Sequence, residues 1–295
     1  IRDSLQTEKQ LFVETTSNNF NFVGNKRKPM YMINWLSKKS IPMQNGKQGE
    51  TAGYLFFETS LGYYYQSIDT LFAQDQKKSY GFFGQADTPV GYDGNIINLE
   101  VDNRFEAESK LRSGTYNTKL ILFDPFNCKY EVIEKTAEEA KKVKLAGKAL
   151  PKFNKKFDSE YTRTTYMLVD TGTLPTGKGE AKGTDAEAEP QEQVKKNDRK
   201  NFEAAITLNQ AIRRYNQMFS AMMEITIAGD FSLHAGDVIY VDIPAVKAEK
   251  DDSINKQSGG LYIIADLCHL VTPDGTWTKL NLARDSFGRK GNHSR

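Results

Sequence analysis

Histidine, cysteine and paired carboxylates do most of the protein chemistry that runs near neutral pH, and this 295-residue sequence is sparing with the first two. Its histidines are His234, His269 and His293. His269 alternates with Leu267 and Val271 in a strand-like run, so it either fills a partly buried slot with its ring hydrogen-bonded or faces an interface. His234 precedes a turn at Ala235-Gly236-Asp237, His293 lies in a polar tail, and no two histidines have the spacing of a zinc site. Cys128 and Cys268 are far apart in apolar surroundings and read as reduced core thiols, neither a disulfide nor a thiolate cage. Among 38 acidic residues no local arrangement singles out two for glycoside cleavage. Gly172, Gly177 and Gly179 lack the Walker lysine, no G-x-G-x-x-G follows a strand, and there is no G-x-S-x-G elbow. The expected catalytic, cofactor and metal sites are therefore none, and the thin chemistry points to a structural role.

The elements that would position any site follow from composition and pattern. At 33.4 kDa the chain has room for two domains, or for one large domain with an insertion. Hydrophobic residues at 38%, charged residues at 26% and a mean hydropathy of −0.60 suit a globular protein. The longest apolar run, residues 261–271, is interrupted by Asp266 and His269 and falls short of the roughly 20 residues of a spanning helix. Forty basic residues against 38 acidic ones leave a net charge of +2, too weak a field for specific nucleic acid binding. The opening Ile1-Arg2-Asp3, without Met or a leader, predicts a processed or truncated chain with native sequence upstream.

Two stretches share one pattern. Leu11-Phe12-Val13-Glu14-Thr15 leads through a polar turn to Phe20-Asn21-Phe22-Val23, and Leu55-Phe56-Phe57-Glu58-Thr59 leads through Gly62 to Tyr63-Tyr64-Tyr65. Each reads as a hairpin followed by a helix, the first from Lys28-Pro29 to about Ser40 and the second capped by Ser67; common design and coincidence both account for the repeat. From Gly94 the pattern predicts a meander with strands at 95–101 and 118–123. Residues 135–147 read as a helix, and eight lysines from Lys135 to Lys156 form a solvated face or an anion-binding patch. Residues 171–198 are too poor in large apolar side chains to order themselves and read as a disordered linker. A helix follows from 201 to about 222, its apolar stripe serving as core or as a partner groove, with Arg213 and Arg214 toward the polar side. Four strands close the sequence at 223–228, 237–243, 260–271 and 276–282, the last two joined by Pro273-Asp274-Gly275.

Met223-Glu224-Ile225-Thr226-Ile227-Ala228-Gly229-Asp230, with Leu233 and Ala235-Gly236-Asp237-Val238-Ile239, resembles the barrel-opening strands of contractile-tail phage hub proteins. Gly259 to His269, and Trp277-Thr278-Lys279-Leu280-Asn281-Leu282-Ala283-Arg284-Asp285, are similar to the same family. The Phe-Glu-Thr hairpins with Ser67-Ile68-Asp69 resemble the middle domain of the T-even-type baseplate central hub protein of myovirus tails. The resemblance spans most of the chain outside 171–198. It implies an α+β protein with a tail-tube-like β-barrel, discontinuous in sequence and built from 91–124 and 221–285. It further implies an α/β domain with two hairpin-helix units at 10–90, a helical insertion at 125–220, and a C-terminal tail at 286–295.

The same resemblance implies a non-enzymatic virion protein of the tail baseplate, assembled in the host cytoplasm. Such hubs are homotrimers with two similar barrels per chain, adapting a sixfold tail tube to a threefold central spike. The implied partners are itself, the central spike protein, tail tube or tube-initiator proteins and other baseplate proteins. Only one barrel is evident here, so a first barrel would lie upstream of Ile1. Tyr63 and Tyr65 are interface candidates because strand alternation must expose at least one of the three tyrosines, Tyr64 being the one suited to the core. His269, Arg284 and Asp285 are the others, Arg284 and Asp285 as interface or barrel-rim residues or as a plain surface ion pair. The alternative is a phage tail envelope-binding or cell-wall-degrading module, suggested by 11% aromatic residues, which would need a pocket at Trp35 or Trp277 with two acids nearby. A host-encoded contractile injection machine shares the first reading.

Overall fold

Alternating apolar residues write most of this molecule as strands, and the computed structural model shows which of them meet. It describes residues 2–18, 24, 26–44, 47–48, 52–82, 94–102, 107–124, 128–135, 145–148, 150, 156, 160–168, 204–243, 258–288 and 290. In chain order the elements are α1 (Arg2–Leu5), β1 (Gln10–Val13), α2 (Pro29–Ser37), β2 (Met43–Gln44), β3 (Lys47–Gln48), β4 (Tyr54–Glu58), β5 (Gly62–Ser67) and α3 (Ile68–Ala73). They continue with β6 (Lys78–Gly81), β7 (Ile96–Asp102), α4 (Ala107–Arg112), β8 (Thr118–Asp124), β9 (Lys129–Lys135) and β10 (Arg163–Leu168). The last are α5 (Ala204–Met218), β11 (Ala221–Ala228), β12 (Val238–Asp242), β13 (Gly260–Thr272) and β14 (Gly275–Arg284). The chain is a mixed α+β protein, mostly sheet.

Six strands form the main sheet in the order β6-β12-β13-β14-β11-β7, antiparallel except for the β6–β12 pair. Period-two alternation sends Met223, Ile225 and Ile227 of β11, Leu280 and Leu282 of β14, Tyr262 and Ile264 of β13, and Ile239 and Val241 of β12 to one side. Tyr80 of β6 and Ile96 of β7 join them in a single core. Strands from both edges can share one core only if the sheet curls, and the edges touch: Gly81 N–H donates to Gly94 O at 2.8 Å, and Gly81 bridges Asn95. The result is a curled sheet around a filled interior. Register shifts at Thr226/Ile227 and Ile264/Asp266 mark bulges, which raise local twist and bending.

The convex side carries a second core. Ile263 and Ala283 point outward there and are covered by Ile68, Leu71 and Phe72 of α3, Met218 of α5 and Ala146. Thus β13 and β14 are sandwiched, which is why neighbouring residues Ile263 and Ile264 are both buried. A three-stranded sheet, β1-β5-β4, packs Leu55 and Phe57 onto the same cluster. A further sheet, β10-β8-β9, turns Leu120 and Leu122 inward, with α5 packed against β8. No helix among the described residues is long and apolar enough to cross a membrane.

The expected second hairpin, the Pro29 and Ser67 helix starts, the helix before residue 220 and the four final strands are all present. Others differ. Strands β7 and β8 form no meander, since β7 pairs with β11 and β8 with β9 and β10. The main sheet also takes in β6, a strand the pattern did not mark. Strand β1 pairs in parallel with β5, and residues 20–23, the other half of its expected hairpin, lie outside the described residues. The lysine-rich segment begins as the end of strand β9, and residues 136–144 and the 171–198 linker are likewise outside them. Cys128 and Cys268 are exposed rather than core thiols: Cys128 sits in a left-handed turn at φ 52° and Cys268 on the outward face of β13. Arg213 and Arg214 are both buried rather than on a polar side, Arg214 because it shares with Ala211, Tyr215 and Met218 the helix face turned to the protein.

Candidate functional site

Helix α5 delivers Arg214 into the seam between α3 and the end of β14. Its guanidinium donates from Nη2 to Asp69 Oδ1 at 2.9 Å and from Nη1 to Asp285 Oδ2 at 3.0 Å, with all three residues at most 4% exposed. Asp285 Oδ1 also accepts from Ala146 N–H at 3.0 Å and from the Ser286 hydroxyl at 2.8 Å, and the Ser286 oxygen accepts from Gly147 N–H at 2.7 Å. Burial pushes the Asp69 carboxyl above its usual range, the Arg214 charge opposing only part of that cost. Arg284, fully buried, donates to Gly259 O at 3.2 Å and lies 4.8 Å from the Tyr262 ring centroid. Arg284 and Asp285 therefore form no surface ion pair: both lie inside the chain, and Asp285 bonds Arg214.

Strand β5 is the middle of its small sheet, so each tyrosine meets a ring on a neighbour. Tyr64 stacks between Phe12 at 4.7 Å and Phe57 at 5.4 Å, on the face toward the second core. Tyr63 and Tyr65 point the other way. Tyr65 stacks on Tyr54 at 4.8 Å and shares a 2.7 Å hydrogen bond with the Ser40 hydroxyl, while Tyr63 stacks on Phe56 at 5.8 Å beneath the Lys9 ammonium. All three are half-buried. The Tyr215 hydroxyl bonds both the N–H and the carbonyl of Tyr54, and burial raises its pKa to about 12.

The segment 229–237 folds over the mouth of the curled sheet. Asp230 accepts from Lys78 Nζ at 2.5 Å, the Tyr80 hydroxyl at 2.9 Å and the Ser232 hydroxyl at 2.7 Å. Burial alone would raise its carboxyl, but these donors together outweigh that and hold it well below the usual range. Asp230 N–H donates to Thr278 Oγ1, which lies 2.9 Å from His269 Nδ1, and the half-buried His269 ring rests 4.7 Å from the Phe231 ring. Thr278, the hydroxyl on His269 Nδ1, is fully buried, so that contact holds the ring in place and presents no nucleophile to the groove. Phe231, Leu233, His234 and His269 line one side of a groove of about 490 Å³; Lys9, Phe57, Glu58 and Ser60 line the other, and Asp266 opens onto it.

The groove holds two carboxylates, as a glycosidase needs, but neither Trp35 nor Trp277 lines it. Glu58 is hydrogen-bonded to Lys9 at 2.5 Å, which holds its carboxyl below the usual range, the opposite of what a general acid requires. Asp266 accepts from Asn281 at 2.6 Å. Among the described residues no cluster of three or more His, Cys, Asp or Glu could hold a metal. The arrangement supports binding and packing. Sequence reasoning gave Asp69 no role beyond the hairpin resemblance, set Arg214 on the polar side and left Phe231 unmarked; the i, i+3, i+7 spacing of Ala211, Arg214 and Met218 was the signal that could have corrected Arg214.

No family model matches the chain, and no curated protein does. Among solved structures the chain is similar to the tail protein from Neisseria meningitidis MC58, at TM-score 0.40 and 12% identity over 93% of this chain and 61% of that one. It is also similar to the prophage MuSo2 43 kDa tail protein from Shewanella oneidensis, at TM-score 0.41 and 10% identity over 96% of this chain. It spans 61% of the length of each of these structures.

Proposed function

We propose that this chain is a structural subunit of a phage tail, and that it serves as the baseplate hub of a contractile tail. The observation that carries the reading is the curled six-stranded sheet, whose interior is packed with apolar side chains rather than left open as a pocket. Strands β11 to β14, where the hub-like motifs lie, form four of its six strands. In this reading β6, β7 and β11 to β14 make up the tube-like barrel unit, narrower than the expected 91–124 and 221–285 because β8 pairs instead with β9 and β10 of the 125–220 insertion, and the chain closes into a trimeric ring in the virion. The ring faces the tail tube on one side and the central spike on the other, with Tyr63, Tyr65 and His269 near its contacts. Arg284 and Asp285 would act from inside, by fixing the end of β14.

Light scattering of the chain across a dilution series tests the ring. The expected result is a mass of three chains that persists on dilution, and that falls toward one chain in Tyr63→Ala. A clean monomer at every concentration would overturn self-assembly as the basis of the reading.

A further inference from the structure

Strand β13 outruns its neighbour. Its pairing with β12 ends at Val238 and Ile263, and the chain preceding β12 makes its last bonds to β13 at Ile264, through Gly236 N–H to Ile264 O at 2.8 Å and Ile264 N–H to Asp237 O at 2.9 Å. Beyond the bulge, β13 continues to Thr272 with β14 on one side, and among the described residues no strand pairs with its other edge. Edge strands are usually guarded by lysine or proline, and residues 266–272 contain neither.

The 490 Å³ groove runs along the start of this edge, from Ala265 to His269. Around it Phe231, Leu270 and Val271 are 59%, 55% and 66% exposed. A row of backbone N–H and C=O groups is completed by one kind of neighbour, another extended backbone about 4.8 Å away. Charge narrows the choice further. Glu58 is already compensated by Lys9, whereas the partner of Asp266 is the neutral amide of Asn281, so the uncompensated charge beside the edge is negative.

We propose that the 266–272 edge of β13 and its groove are a strand-addition site for an extended segment of another protein, apolar at alternate positions and carrying Lys or Arg opposite Asp266. The site does not depend on the tail reading. It would serve any assembly that docks a strand.

Cys268, exposed on this strand, gives a direct test by disulfide capture in a Cys128→Asn background, which removes the other exposed thiol and suits its left-handed backbone. The probes are short synthetic peptides of alternating Val and Thr with one terminal Cys and a central Arg, a central Glu, or two prolines. The Arg peptide should reach half-maximal capture at about tenfold lower concentration than the Glu peptide. The proline peptide should be captured poorly, amide exchange across 266–272 should slow in the captured complex, and Asp266→Lys should reverse the preference. Equal capture of the proline peptide, or unchanged exchange, would overturn strand addition. Protection that rises with chain concentration without peptide would overturn the foreign partner and put a second copy in its place.

Discussion

Arg214 is ion-paired with two buried carboxylates at once, so removing it strips a bond from both Asp69 and Asp285 in a water-poor seam. Arg214→Leu should cost roughly 3–5 kcal/mol, the range for breaking a buried pair by deleting one partner. Asp69 has a raised folded pKa, so its contribution to stability is present below the usual carboxylate range and is lost as pH rises through the folded value. The Arg214→Leu deficit should therefore shrink in acid, which urea melts at neutral pH and near pH 4 would show. Asp230 has the opposite sign. Its pKa is depressed, so its contribution is present above about pH 4 and is lost as pH falls further. Asp230→Asn should cost about 1 kcal/mol at neutral pH, the low end for a charged hydrogen bond in a partly solvated site, and the gap to wild type should close on acidification. Neither network was legible in the sequence. Asp69 and Arg214 are 145 positions apart, and Asp230 meets Lys78 across 152.

Helix α3 has six residues, too few to persist alone, yet it covers the outer face of β13 and β14. Its start is fixed twice. Ser67 Oγ accepts from Thr70 N–H at 3.1 Å, and the Glu14 carboxylate accepts from Ser67 N–H at 2.6 Å, the Ser67 hydroxyl at 2.9 Å and the Thr70 hydroxyl at 2.8 Å. Ser67→Ala should cost about 1 kcal/mol, and Glu14→Ala at least as much because it strips three donors, measurable as a lowered denaturant midpoint. Gly236 secures the neighbouring turn: its φ is +89°, and a Cβ there would lie 2.8 Å from the Phe57 ring, so Gly236→Ala should lower the melting temperature. The Ser67 cap and the β4–β5 hairpin were legible because their signals lie within a few residues. The tie to Glu14 and the parallel pairing of β1 with β5 were not, because period-two patterning marks a strand and says nothing of its neighbour. For the same reason β7 and β8 looked like a meander and belong to different sheets.

At the scale of the whole molecule, β13 and β14 are the shared wall of two cores. Ile264 and Leu282 face the interior of the curled sheet, Ile263 and Ala283 face the α3 and α5 side, and one backbone carries both. The resemblance joined 91–124 to 221–285; β7 does pair with β11, but β8 lies in another sheet, and the closure at Gly81, Gly94 and Asn95 depends on β6, which is four residues long and has no clear sequence signal. A shared wall makes the cores interdependent, since losing either leaves one face of β13 and β14 bare. Ile225→Ala in the inner core and Leu71→Ala in the outer one should each cost about 2–5 kcal/mol. Both should shift one common transition, with Trp277 fluorescence from β14, read in a Trp35→Phe background, and the near-ultraviolet tyrosine signal remaining superimposed. If the α3 side were an independent unit, Leu71→Ala would instead split off an early tyrosine transition and leave the Trp277 midpoint unchanged. The Arg214 node argues for the common transition, because it joins α3, α5 and the end of β14 through side chains that cannot separate without exposing a charge pair formed only in the folded chain.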